Sequence, residues 1–141
     1  MDQDGSLLDW VALSFVTGVG ARTAAMLIDR FGTPAACFDA GVLALESAGL
    51  RRESIEALRS SDPRGRAEQE IKELARLGAE AISLADPRYP ALLRETYDPP
   101  IVLYCLGDLP RALAQPPIAV VGSRRCSTYG RNVAEMLGRD L

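Results

Sequence analysis

Ile118-Ala119-Val120-Val121-Gly122-Ser123-Arg124-Arg125 is a short apolar run that stops at a glycine, a hydroxyl and two guanidiniums. Consecutive apolar residues bounded by turn formers predict a strand buried on both faces, the kind found in parallel sheets. Directly after it, Ser127 or Thr128 stands where a helix N-cap belongs, and Tyr129, Val133, Met136 and Leu137 share one helical face. A buried strand followed by an amphipathic helix is half of a parallel βαβ unit, so the stretch predicts an α/β layer. In such layers ligands bind at the carboxyl ends of the strands, where loop amides and the next helix N-terminus favour anions. Gly122 leaves room for a phosphate, Ser123 can donate a hydrogen bond, and Arg124 can grip two phosphate oxygens with its planar fork. Between residues 109 and 134 there are four arginines (Arg111, Arg124, Arg125, Arg131) and no acid. The alternative is a glycine-serine turn that merely ends a strand, its arginines solvated. The loop is not of the Walker type, which needs a lysine after its glycine run, nor a GxGxxG dinucleotide loop.

Upstream, residues 81–84 (AISL) and 101–106 (IVLYCL) are two more apolar runs bounded by Pro, Gly or Asp, and read as buried strands. Between them, Asp86-Pro87-Arg88-Tyr89-Pro90 and Asp98-Pro99-Pro100 cannot be central strands, because proline lacks the ladder donor, and they read as ordered loops.

Before residue 78 the periodicity is helical. Leu8, Val11, Ala12 and Phe15 fall on one face, and after Thr17-Gly18-Val19-Gly20 the spacing resumes at Ala24, Leu27, Ile28 and Phe31, with Gly32 as a stop. Thr33-Pro34 and Asp62-Pro63 each pair an N-cap with proline at the first helical position, and the second opens a helix with Ala67, Ile71, Leu74 and Ala75 inward. Short helices are expected between them, near residues 42–45 and 53–59. The helices before residue 78 followed by strands after it give an α+β chain ending in an α/β layer.

With 141 residues, nearly half of them apolar, the chain can bury a core. Lys and Arg total 16 against 19 Asp and Glu, so no global basic field exists and any nucleic-acid site must be local. The absence of histidine removes the usual general base near neutral pH and any His-centred metal site, so neither metal nor cofactor is expected. Cys37, Cys105 and Cys126 form no CxxC pair and read as reduced packing residues. The acidic start resembles no secretory signal, and no apolar run reaches membrane length, which places the expectation in the cytoplasm.

Gly18-Val19-Gly20 fits a helix-hairpin-helix turn: glycines allow positive φ and close approach of a phosphate, Val19 can plug the core and Arg22 can add charge. The competing reading is a plain interhelical turn. Tyr89, Tyr97 and Tyr104 offer a possible base-stacking surface, but packing in core or loops is the preferred reading for all three.

Taken in order, these pieces resemble the DNA-processing protein A (DprA, Smf) family. The resemblance rests on the hairpin at Thr17-Gly18-Val19-Gly20, on Asp86-Pro87-Arg88-Tyr89-Pro90 with Leu92 and Leu93, and on Asp98-Pro99-Pro100-Ile101-Val102-Leu103-Tyr104 followed by Gly107. It closes with Val120-Val121-Gly122-Ser123-Arg124 and Thr128-Tyr129-Gly130. It implies a SAM-like (sterile-alpha-motif-like) helical domain over residues 1–77, then the start of an extended Rossmann-like parallel sheet over residues 78–141. It also implies a non-enzymatic protein that binds single-stranded DNA, dimerises, and helps load the RecA recombinase during natural transformation, with Gly122, Ser123 and Arg124 as its phosphate-binding turn. That family continues with a second glycine-rich motif, further basic pocket residues and a dimer surface, so the sequence is expected to be an N-terminal fragment that alone binds DNA poorly. Two rival functions are a Rossmann-like nucleotide or nucleoside-phosphate hydrolase, which needs a carboxylate at the same turn, and a duplex-binding helix-hairpin-helix module.

Overall fold

The computed structural model describes residues 6–60, 62–114, 118 and 120–140. Two compact units divide the chain, Met1–Leu109 and Pro110–Leu141.

The first unit opens with α1 (Leu7–Ser14), capped by Ser6, whose hydroxyl oxygen accepts from the Asp9 amide. Five consecutive residues of α1, Asp9 to Leu13, are buried, so this helix is covered on nearly every side. Around it pack α2 (Ala21–Phe31), α3 (Pro34–Asp39), α6 (Pro63–Arg76), β1 (Ala79–Ser83) and β2 (Val102–Leu106). The buried Asp9 carboxylate is matched by Arg64 Nε at 2.8 Å and by the Ser6 hydroxyl at 2.7 Å, which satisfies a charge that would otherwise oppose burial. Both predicted cap-plus-proline starts are present: Thr33 Oγ1 accepts from the Ala36 amide and Asp62 Oδ1 from the Gly65 amide. Between them, α4 (Val42–Ser47) ends in a Schellman arrangement, with Gly49 at φ 87° and the Leu50 amide donating to the Leu45 carbonyl. Leu50 is thereby turned into the core, and α5 (Arg52–Ser60) adds Ile55 and Leu58.

β1 and β2 pair antiparallel, Ala79 opposite Leu106 through Ser83 opposite Val102. Ala81, Ile101 and Val102 belong to the same apolar cluster as Trp10, Leu13 and Ala67. The connection between the strands holds only a one-turn helix, α7 (Ala91–Arg94), and is pinned at two levels. Arg88 bridges Asp86 and Glu80, and the buried Tyr89 donates its hydroxyl to the Pro100 carbonyl at 2.8 Å. The Arg88 guanidinium beside Asp86 holds that carboxyl below its ordinary value. Such a fold-back connection returns the chain in the opposite direction, whereas parallel neighbours require a long crossover.

The second unit contains α8 (Leu109–Leu113), whose first residue belongs to the first unit, and α9 (Thr128–Asp140). Two expectations are corrected here. The sheet among the described residues is antiparallel, not parallel, and residues 118–121 form no strand among those described. Ile118 is 69% and Val121 88% exposed, while Ala119 lies outside the described residues. A strand is held by ladder bonds to a neighbour, and the sole sheet among the described residues is β1–β2. The arrangement is mixed helix and strand, α+β, with helices dominant.

Candidate functional site

Residues 120–123 run in irregular conformation alongside α9, and the two enclose a concavity of about 430 Å³ within the second unit. Gly122 and Ser123 line it together with Ser127 and Gly130, while Val121, Val133 and Leu137 form its apolar wall. A Cβ placed on Gly122 would meet nothing within 4 Å, so the glycine leaves open space at the mouth rather than filling a packing need. Ser123 Oγ accepts from the Arg125 amide at 3.1 Å, a local turn that leaves its O–H free to donate among the described residues.

That turn sets Arg124 and Arg125 outward. Both are exposed, neither belongs to the lining of the concavity, and neither forms an ion pair among the described residues. Of the two expected caps for α9, Ser127 is the one used: its Oγ accepts from the Gly130 amide at 3.2 Å, while the Arg131 amide closes the first helical bond on the Ser127 carbonyl. The remaining first-turn amides of α9 have no intrahelical acceptor, as at any helix start. The sequence-predicted trio is therefore split, with Gly122 and Ser123 at the concavity and Arg124 on the adjoining turn. Ser127 and Gly130 are additions that only the helix start brings in. Chemically the site offers hydroxyls, helix-start amides and, on the adjoining turn, exposed guanidiniums, without a carboxylate between residues 109 and 134, a set suited to an oxyanion.

The remaining motifs divide between packing and exposure. Val19 is buried, as a hairpin plug should be, and Gly18 adopts φ 79° with Ser54 against it. Tyr89 packs inside. Tyr97 and Tyr104 are 81% and 47% exposed, against the expectation that all three tyrosines pack; Tyr104 falls on the exposed face of the β2 pleat. Arg22 lies over the Tyr97 ring, its Cζ 5.0 Å from the centroid. Of the cysteines, Cys37 is buried, Cys105 half-buried and Cys126 exposed beside the concavity, so the packing expectation fails for Cys126. No described helix is long and apolar enough to cross a membrane.

A sequence model of the family described as DNA recombination-mediator protein A matches residues 80–141, which include all of β1 but its first residue, β2 and the whole candidate site. The DNA processing protein DprA of Bacillus subtilis is 33% identical over 64 residues, covering 45% of this chain and 22% of that protein. The DprA of Streptococcus pneumoniae is 44% identical over 61 residues, 43% of this chain and 21% of that protein. Protein Smf of Synechocystis is 31% identical over 136 residues, 94% of this chain and 34% of that protein.

The family model and all three relatives support the DprA/Smf family.

It spans about a third or less of the length of these DprA and Smf relatives. The match to Smf runs across the helical region as well, so the family likeness is not confined to the site. No solved structure matches the chain.

Proposed function

We propose that this chain binds single-stranded DNA through its sugar-phosphate backbone, with a phosphate seated at Gly122 and Ser123 and neutralised by Arg124. The observation that carries the reading is local charge. Inside a chain of net charge −3, residues 109–134 hold four arginines and no acid, and the segment includes a loop with a spare hydroxyl. Backbone recognition of this kind is electrostatic, largely independent of sequence, and needs no catalytic group. The relatives' names, DNA processing protein and recombination-mediator protein, support the same assignment.

In this reading residues 78–141 supply the start of a Rossmann-like DNA-binding domain, and residues 1–77 a SAM-like helical domain that scaffolds or docks partners. The activities of the complete protein are dimerisation and help in loading the RecA recombinase onto incoming strands during natural transformation, in the cytoplasm and without catalysis.

The test is a salt titration of an end-labelled oligothymidine followed by anisotropy. The full-length protein binds at low ionic strength, and Arg124→Ala weakens binding and lowers the slope of log affinity against log salt by about 0.7, the loss of one single-strand phosphate contact. An unchanged slope, or no attraction of the full-length protein to the oligonucleotide at low salt, overturns the assignment.

A further inference from the structure

The exposed ring of Tyr97 has a chemistry that the phosphate site does not use. It lies within the first unit, on the loop that leads into β2, and it is 81% exposed although its neighbours are firmly held. Two residues on, Pro99-Pro100 stiffens the backbone, and the Pro100 carbonyl accepts the Tyr89 hydroxyl. Ile101 follows, buried, its carbonyl accepting from the Leu84 amide at 2.9 Å. The ring is thus an outward group on an ordered loop, not the tip of a slack one.

One face of that ring is occupied. The Arg22 guanidinium, from the first turn of α2, sits with Cζ 5.0 Å from the ring centroid. The pairing fixes the ring's tilt and draws π density toward the cation, which eases face-to-face contact of the opposite side with another electron-rich ring. At this level of exposure the opposite side is open to solvent.

We infer that Tyr97, backed by Arg22, is a stacking platform for one unpaired nucleobase. The inference rests on the reading of the chain as a binder of single-stranded DNA and adds a base contact to its phosphate contact. The surrounding charge selects the base rather than the backbone: Glu95 and Asp98 flank Tyr97 in the chain and disfavour a phosphate there. The contact is therefore a flat ring on a flat ring, tolerant of sequence, absent for duplex whose bases are already stacked, and weakly dependent on salt.

The experiment uses the full-length protein carrying Tyr97→Trp, which gives the platform its own fluorescence, with the unsubstituted protein, buried Trp10 included, measured as background. Oligothymidine, an abasic oligonucleotide of equal length and a duplex are titrated at low ionic strength, and anisotropy of labelled strands is recorded in parallel. The expected result is quenching of the variant by oligothymidine alone, with Tyr97→Ala weakening oligothymidine binding about fivefold or more and leaving abasic binding and the salt slope unchanged. Binding by anisotropy without quenching overturns the platform and leaves the phosphate reading standing. Equal quenching by abasic strand or duplex also overturns it, as does a signal that follows protein concentration alone and marks a contact between copies of the chain. No binding by anisotropy overturns both.

Discussion

Two glycines that look alike in the sequence do opposite work. Gly18 sits at φ 79°, and a Cβ there would clash with the hydroxyl oxygen of the buried Ser54, so any side chain meets both backbone strain and a clash. The Ser54 hydroxyl can rotate away, but the backbone angle cannot relax without moving the plug Val19. Gly18→Ala is therefore expected to cost about 1–3 kcal/mol, seen as a lowered urea midpoint at unchanged slope. Gly122 has no Cβ contact within 4 Å and no positive φ. Gly122→Ala is expected to leave the urea midpoint within about 0.5 kcal/mol of the parent while weakening oligonucleotide binding, because the added methyl occupies only the space assigned to the phosphate. Loss of stability in Gly122→Ala, or none in Gly18→Ala, contradicts this division of roles.

At the scale of elements, α3 shows what a six-residue helix can do: it carries Cys37 fully into the core, where burial pushes the thiol up to about 11. A thiol whose folded value lies above its ordinary 9.0 keeps its proton longer in the folded chain than in the unfolded one. Stability is then constant below about pH 9 and falls as pH rises toward 11, by up to about 2–3 kcal/mol for this group. Cys105 shifts in the same direction, and Tyr89 and Tyr104 join at higher pH, all through burial first. Urea midpoints between pH 8 and 10 should decline in the parent and decline less in Cys37→Ala, measured relative to each protein's own value at pH 8. The helices were legible in the sequence because caps and periodicity are local: Thr33-Pro34 and Asp62-Pro63 each name their own start, and Gly32 the stop of α2. The strands were legible as apolar runs, yet their pairing was not, since direction depends on the path of the connection, and the Arg88 and Tyr89 clips that fix it join residues 8 and 11 apart. The one-turn helices α7 and α8 were invisible, being too short to show a period. At the candidate site, the proposal of Gly122, Ser123 and Arg124 rests on their chemistry alone, whereas the choice of Ser127 over Thr128 as cap and the Arg22–Tyr97 stack depend on three-dimensional placement.

For the molecule as a whole, the distribution of burial predicts unequal stability. The first unit owns the apolar cluster from Trp10 to Val102, while α9 buries none of its 13 residues. A helix of that length without a packed face is marginal in water, since propagation barely offsets the cost of nucleation. Its amides should therefore exchange with solvent through local opening far below the global unfolding free energy, whereas those of α1 and α6 open only with the unit that contains them. Hydrogen exchange at neutral pH is expected to show residues 128–140 losing protection orders of magnitude sooner than residues 7–14 and 63–76. Single-stranded DNA that seats a phosphate beside Ser127 favours the helical state by its binding free energy, so saturating oligothymidine should slow exchange in residues 128–131 most, and Arg124→Ala should reduce that slowing. Protection of α9 equal to that of α1 without DNA would show that its apolar face is covered in solution. Unchanged exchange on saturation would separate α9 from the phosphate site.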